Sequence, residues 1–137
     1  AATAEAVDWY HQRLLNSPDA RAARDYLRDR GLSGDVARQF QLGYAPDEWD
    51  ALSQHLVKKG YAADVLSDVG LAFTNKANRL QDSFRARIMF PIFSDNGDPV
   101  AFGGRVLPGS TDPAKYKNSS ETTIYANRIA ILHLYWK

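Results

Sequence analysis

The sequence predicts an α+β domain in which a helical N-terminal portion is followed by a small antiparallel β-sheet. In residues 1–70, apolar side chains recur every three or four positions, which is the spacing of amphipathic helices. From residue 71 onward the apolar residues come in short runs rich in strand formers, and turn sequences separate these runs. Because helices and strands are segregated along the chain, an α+β fold is favoured over a wound parallel sheet.

The first part of the chain is expected to form two helices. Thr3 is placed to cap the first, whose apolar residues follow helical spacing. Ser17-Pro18 ends that helix and begins the second, because serine accepts from the open amides and proline suits the first helical position. Gly31 is well suited to end the second helix.

Three shorter helices are expected to follow. Ser33 is placed to cap the first of them, and Asp47 is placed to cap the next, which runs towards Gly60. The last covers residues 62–69 and ends at Gly70. Large aromatic residues on the helical stripes are expected in the core: Trp9, Tyr10, Tyr26, Phe40 and Trp49.

The second part of the chain is expected to contain two hairpins. The runs 87–93 and 99–107 read as strands, and the cluster at 94–98 includes an Asn-Gly pair that suits the positive φ angles of a tight turn. Residues 71–75 and 79–84 are expected to form a smaller hairpin beside this one. Asn118 and Glu121 then match a capping box, which predicts the start of a final helix.

The composition is that of one globular domain. The chain has 137 residues, of which 45% are hydrophobic and 24% are charged, and a domain of this size buries about two thirds of its unfolded surface. It contains no run of about 20 apolar residues, which a membrane helix requires, and its start lacks the pattern of a secretory signal. The absence of cysteine excludes disulfides and thiolate metal sites, which fits a reducing cytoplasm.

The charges are unevenly placed although the net charge is only +1. Residues 1–75 carry 8 basic and 11 acidic side chains, whereas residues 76–137 carry 9 and 5. The C-terminal half is therefore the better candidate surface for phosphates. An asymmetry of this size is also common on solvated faces that bind nothing.

Motifs of self-sufficient catalysis are missing. The sequence has no phosphate-binding GxxxxGK loop, no GxSxG elbow and no HExxH motif. His11, His55 and His133 are scattered, and none has a second histidine at the spacing of metal ligands. No pair of carboxylates stands out as a metal clamp, so no catalytic residue is expected in this chain.

Arginine and glycine cluster in the predicted sheet. Arg85 and Arg87 precede a buried strand at alternate positions, so both are expected to point away from the core. Gly103-Gly104 interrupts the facing strand just before Arg105. Glycine inside a strand marks a bulge or a close approach of another backbone. An arginine beside such an opening can bind a phosphate with two parallel hydrogen bonds.

The segment from Lys115 to Asn118 offers a second group of polar side chains. Lys115, Lys117 and the Asn118 amide form an anion cradle at the expected helix start. Tyr116, between the two lysines, is placed either to stack on a base or to cover the edge of the sheet. A bulged hairpin and a capped helix with surface lysines would explain each feature singly. Their concentration favours nucleic-acid binding, with Arg105 and the Lys115–Asn118 loop on one electropositive trough.

Five stretches together resemble one family in order and spacing, over roughly residues 5–126. They are AARDYLRDRGLS, QFQLGYAPDEWDAL, FRARIMFPI, GDPVAFGGRVL and KYKNSSETTIY. The chain is identified on them as similar to the N-terminal subdomain of the catalytic core of bacterial DnaG-type DNA primases. The resemblance implies residues 1–126 as this subdomain, and residues 127–137 as a divergent apolar tail that would lead to a Toprim domain.

The resemblance also implies an activity for the parent protein. Such primases are nucleotidyltransferases, DNA-directed RNA polymerases that join nucleoside triphosphates into a short RNA primer on a single-stranded DNA template during replication. The Toprim domain holds Mg²⁺ or Mn²⁺, a separate N-terminal domain holds a structural Zn²⁺, and a C-terminal region binds the replicative helicase. This chain is then expected to bind no cofactor, to be inactive alone, and to work in the cytoplasm at the replication fork without a membrane.

The site residues that the resemblance implies are Arg30, Arg105, Lys115 and Asn118, with Arg85 and Arg87 in second rank. They would line the groove for template and primer. The chain departs from the family pattern at Ser120, where a proline is usual, and near Asn127, where a lysine phosphate contact is common. The alternative reading is a non-catalytic, primase-derived module for nucleic-acid binding or assembly, whose parent would lack a Toprim domain. The third hypothesis is an α+β domain that is unrelated to primases and binds protein partners.

Overall fold

The structure, a computed structural model, describes residues 1–119. Its helical part comprises five α-helices, with one turn of 3-10 helix at Pro18–Ala20 between the first two. The helices are α1 (Ala2–Asn16), α2 (Arg21–Asp29), α3 (Gly34–Gln39), α4 (Ala51–Lys58) and α5 (Ala63–Asp68). The strands are β1 (Gly43–Ala45), β2 (Ala72–Thr74), β3 (Leu80–Asp82), β4 (Arg87–Phe93), β5 (Pro99–Val106) and β6 (Tyr116–Asn118).

The strands form a four-stranded sheet in the order β1-β4-β5-β6 and a separate two-stranded sheet of β2 and β3. All pairings are antiparallel. The α+β fold and both predicted hairpins are therefore confirmed. The proposed boundary at residue 126, the tail at 127–137, Ser120, Glu121 and Asn127 lie outside the described residues.

Two strands of the main sheet were not predicted. β1 pairs along β4 with Gly43 opposite Met89, and all three of its residues are buried. A glycine is required there, because a Cβ at Gly43 would lie 2.5 Å from the Cβ of Tyr10 on α1. β6 forms where a helix start was expected: Asn118 pairs with Gly103, so this part of the backbone completes the edge of the sheet.

Three predicted helix caps are wrong. The Ser17 hydroxyl donates to Asp19 and, within residues 1–119, accepts from no amide, and α2 begins only after the 3-10 turn, with Ala20 at its N-cap. Thr3 lies inside α1, where it is buried, and the N-cap position belongs to Ala1. Asp47 lies before α4, whose first free amides instead bond a carboxylate on β3: Asp82 accepts from the Leu52 N–H at 3.0 Å and the Ser53 N–H at 2.8 Å. Helix α4 is thus capped across the tertiary structure.

The main sheet is covered on both faces, because successive residues of a strand point in opposite directions. Met89 faces a core cluster built with α1, α4 and α5, in which Tyr10 and Phe102 pack edge to face with centroids 5.3 Å apart. Ile88 and Phe90 face a second cluster built with α2 and α3. Two of the aromatics expected in the core are instead exposed, at 55% for Phe40 and 58% for Trp49.

Candidate nucleic-acid interface

The candidate site lies on the α2 side of the sheet, where β5 and β6 pair. Arg105 lies opposite Tyr116, with its guanidinium carbon 4.9 Å from the centre of the Tyr116 ring. Its Nε donates to the Tyr26 hydroxyl at 3.4 Å. Arg30, just after α2, lies 5.6 Å from the Tyr26 ring. We call these four residues, Tyr26, Arg30, Arg105 and Tyr116, the basic-aromatic cluster.

The cluster combines positive charge with aromatic surface. Arg30 is exposed, and Arg105 and both tyrosines are half-buried. Burial raises the pKa of Tyr116, and this outweighs the opposing effect of the Arg105 and Arg30 charges. The phenol therefore stays neutral at physiological pH, and the cluster keeps two positive charges. Guanidinium groups fork onto phosphate oxygens and aromatic rings stack on bases, so the arrangement suits a polynucleotide.

Asn118 belongs to the same face of the sheet. It lies two residues beyond Tyr116 on β6 and pairs with Gly103, which lies two residues before Arg105 on β5. Because residues two apart on a strand share a face, its half-buried side chain continues the row that starts at the cluster. The strand register thus places Asn118 on the same face of the sheet as Arg105.

The two lysines do not complete a single trough. Lys117 lies on the opposite face, where its Nζ donates to the Ser83 carbonyl at 2.6 Å and lies 5.7 Å from the Phe84 ring centre. Burial lowers the pKa of Lys117, and the nearby Arg87 charge adds to this. Lys115 is exposed at the end of the loop that enters β6. The expected single trough therefore does not include Lys117, which lies on the face of the sheet opposite to Arg105 and Asn118.

Arg87 does not point away from the core, which corrects the prediction. Its side chain is only 3% exposed, and it donates to the carbonyl of Gly104 at 3.2 Å, to that of Ala114 at 2.8 Å and to Asp112 at 2.9 Å. The alternation fails because Ala86, between the two arginines, has a φ of 52°. Arg87 therefore anchors the loop that carries Lys115.

Arg85 points outward as predicted and joins a residue that the sequence did not reveal. It donates from Nε to Asp47, and its guanidinium carbon lies 4.8 Å from the centre of the Trp49 ring. Trp49 was expected on a core helix. Tyr26 was also expected in the core. It lies four residues before Arg30, and residues at this spacing share one face of a helix. This spacing could have identified Tyr26 as a site residue.

The sequence matches, over residues 9–136, the family of the DNA primase catalytic core, N-terminal domain. This chain belongs to that family. A DNA primase of Pseudomonas putida KT2440 is 44% identical over 131 residues, which are 95% of this chain and 20% of that protein. The chain thus spans about a fifth of the length of this relative.

Solved structures of DnaG-type primases have the same fold. The RNA polymerase domain of the Mycobacterium tuberculosis primase DnaG matches with a TM-score of 0.82 and 38% identity, over 90% of this chain and 40% of that one. The DnaG primase catalytic domain bound to single-stranded DNA matches with a TM-score of 0.80 and 40% identity, over 90% and 39%. The chain is therefore an N-terminal subdomain of the bacterial DnaG-type primase core.

Two further properties follow from the part of the chain that the structure describes. Within residues 1–119, no three histidine, aspartate or glutamate side chains are grouped so that they could hold a metal ion. No helix in that range is long and apolar enough to cross a membrane.

Proposed function

We propose that this subdomain holds the DNA strand for a primase that makes short RNA primers on single-stranded DNA. The observation that carries the proposal is the basic-aromatic cluster, in which Arg30 and Arg105 meet two tyrosine rings on one face. A relative with 40% identity was solved with single-stranded DNA bound, which supports a strand as the ligand here. In this proposal the 137-residue chain contributes binding surface and the parent protein contributes the transfer chemistry.

Each side chain has a distinct contribution to strand binding. Arg105 and Lys115 contact phosphates, Asn118 orients a ribose or phosphate of the strand or of an incoming nucleoside triphosphate, and Arg30 steers the template. Arg87 contacts no nucleic acid, because it is buried, but its bond to the Ala114 carbonyl fixes the backbone next to Lys115. The binding is driven by charge neutralisation and release of counterions, so it weakens steeply as salt rises.

The metal chemistry of the primase is proposed to lie outside this chain. Nucleotidyl transfer requires divalent cations held by grouped carboxylates, and residues 1–119 contain no such group. From the family to which the chain belongs, we further propose that Mg²⁺ or Mn²⁺, the structural Zn²⁺ and helicase binding belong to other domains of the parent. The chain alone is expected to bind single strands without extending a primer.

Fluorescence anisotropy of a labelled single strand tests the proposal. The wild-type chain is expected to bind with a Kd of about 10⁻⁴ to 10⁻⁶ M, the range of non-specific contacts. Replacing Arg105 and Lys115 together by Ala removes two phosphate contacts, which reduces the slope of log K against log salt by about 1.4. The matched control replaces Lys58 and Lys59 by Ala, since these exposed lysines lie at the end of α4, which packs in the other core cluster.

Each double variant removes two positive charges, and the two variants differ only in the surface from which the charges are removed. A slope that falls for the Arg105 and Lys115 variant and stays unchanged for the control supports the proposal. Equal slopes in both variants and the wild type, or no binding by the wild type at low salt, would rule out this face as the strand-binding surface.

A further inference from the structure

A groove of about 460 Å³ lies between α4 and β3, outside the basic-aromatic cluster. We call it the α4–β3 groove. Its lining includes two apolar side chains, Val57 of α4, which is 49% exposed, and Leu80 of β3, which is half-buried. Apolar surface that water still reaches is stabilised when a second apolar group covers it. The groove can therefore take an apolar side chain from a partner.

The backbone of β3 has a free strand edge in this groove. The Asn75 N–H donates to the Arg79 carbonyl at 2.9 Å, so the backbone groups of Arg79 face β2. Because these groups point alternately to the two sides of a strand, those of Leu80 and Asp82 point away from β2. The Asp82 N–H donates to the Trp49 carbonyl at 2.7 Å, whereas the Leu80 N–H and carbonyl have no such partner within residues 1–119. Leu80 can therefore exchange two hydrogen bonds with an added strand.

The charges of the groove differ between its two ends. Lys58, the last residue of α4, and Arg79, just before β3, both line it, and neither makes an ion pair within residues 1–119. Asp50 lines it at the start of α4, about 12 Å away for a helix of eight residues, and its carboxylate accepts from the Gln54 side chain at 2.9 Å. The end at Lys58 is therefore suited to carboxylates.

Both walls of the groove are held in place by hydrogen bonds. The Asn75 side chain accepts from the N–H groups of Ala77 at 2.9 Å and Arg79 at 3.1 Å, which fixes the turn before β3. At the other end, the Asp82 carboxylate joins β3 to the first amides of α4. Because the groove is formed before a ligand arrives, little conformational entropy is lost by the protein on binding.

We propose that the α4–β3 groove binds an extended, acidic peptide segment of a partner protein. The segment pairs with the free edge at Leu80, covers Val57 with an apolar side chain and places carboxylates at Lys58 and Arg79. A free strand edge pairs with peptide backbone, and unpaired cations favour a partner of opposite charge. Cations beside a free edge also discourage self-association, and that alternative predicts that no peptide binds. The inference is independent of the strand-binding function.

Selection from a phage library of random 12-residue peptides on the immobilised chain tests the proposal. The enriched peptides are expected to carry acidic residues next to an apolar one, and they are then titrated as free, labelled peptides. Replacing Lys58 and Arg79 together by Gln weakens their binding by about 2- to 30-fold, the effect of losing two exposed ion pairs. The double variant of Arg105 and Lys115 is the matched control, since it removes two charges outside the groove and should retain the wild-type affinity.

The apolar contact and the strand pairing are measured separately. Val57→Ala removes two methyl groups from the groove and weakens peptide binding by up to about 15-fold. Val65→Ala is its control, because Val65 is exposed to a similar extent, at 42%, and lies on α5. Hydrogen exchange of the Leu80 amide, followed by NMR, should slow when peptide saturates the chain, since the N–H then donates to a peptide carbonyl.

Acidic peptides that lose affinity in both groove variants and protect the Leu80 amide support the proposal. The proposal is overturned if no acidic peptide is enriched, if either groove variant binds the peptides as tightly as the wild type, or if Leu80 exchanges equally fast with peptide bound. Displacement of the peptide by a 12-nucleotide single strand at low salt would also overturn it, because the groove would then bind nucleic acid.

Discussion

Asp82 is predicted to be the residue whose loss most weakens the packing of α4 on the rest of the fold. It is buried, with 5% of its surface exposed, and its carboxylate accepts from the Leu52 N–H, the Ser53 N–H and the Ser53 hydroxyl. Asp82→Ala leaves two buried amide donors without partners. Each such donor costs about 1–3 kcal/mol, so the expected loss is about 2–4 kcal/mol of unfolding free energy, allowing for local relaxation.

Urea unfolding followed by far-UV circular dichroism measures this loss. Asp50→Ala is the matched control, because Asp50 occupies the N-cap position of α4 but its side chain bonds only the Gln54 amide. The control is expected to change the stability by less than about 0.5 kcal/mol. If Asp82→Ala lowers the free energy of unfolding no more than Asp50→Ala does, the Asp82 cap does not stabilise α4 and the prediction is refuted.

The same residue predicts a pH dependence. Burial raises the pKa of Asp82, and this outweighs the hydrogen bonds from Ser53 and Leu52, which lower it. The folded state therefore binds a proton more tightly than the unfolded state. The part of the stability that comes from proton binding at Asp82 is fully present below about pH 4 and is lost as pH rises through the raised pKa, whereas the hydrogen bonds that the carboxylate accepts remain. The stability of the wild type relative to Asp82→Asn should accordingly fall with rising pH, and a difference that is constant or grows would contradict this.

Three other substitutions, one of them a control, test the packing of the main sheet. Arg87→Met should cost about 3–5 kcal/mol, because it leaves carbonyls inside the fold without their donor. Asp112→Asn, at a half-exposed carboxylate, should cost much less, and similar losses in urea unfolding would argue against an anchoring arginine. Gly43→Ala brings a Cβ within 2.5 Å of Tyr10 and should cost about 1–3 kcal/mol, so an unchanged melting temperature would mean that α1 is packed less closely than described.

The parts of the fold that depend on local pattern could be predicted from the sequence. The β4–β5 hairpin follows from two apolar runs and an Asn-Gly turn, and Gly97 has the expected positive φ, at 86°. The five helices follow from apolar spacing, and Ser33 caps α3 by accepting from the Val36 N–H at 3.3 Å. These features are encoded within a few residues of where they occur.

The parts that depend on distant partners could not be predicted. β1 has only three residues, too few to show a period of two, and it forms because β4, more than 40 residues later, offers an unpaired edge. The cap of α4 comes from Asp82, about 30 residues along the chain. Ala86 has a positive φ angle, a conformation that mostly favours glycine, and nothing about an alanine in the sequence predicts it.

The candidate site divides in the same way. Arg105 after the double glycine and Asn118 could be proposed from residue type and position, and the strand register brings them to one face. The face of the sheet on which Lys117 lies depends on the β5–β6 register, which a reading of residues 115–122 as a helix start could not supply. Trp49 was missed because its helical spacing continues into α4, whereas the helix begins only at Ala51.

The most direct test of the strand-binding face is an NMR titration of the ¹⁵N-labelled chain with a short single strand at low salt. If the strand binds at the basic-aromatic cluster, the largest shift changes fall on Tyr26, Arg30, Arg105, Tyr116 and Asn118. Amides of α4 and α5, which pack in the other core cluster, should change little. Changes concentrated on α4 and α5, with the basic-aromatic cluster unaffected, would show that the strand binds elsewhere.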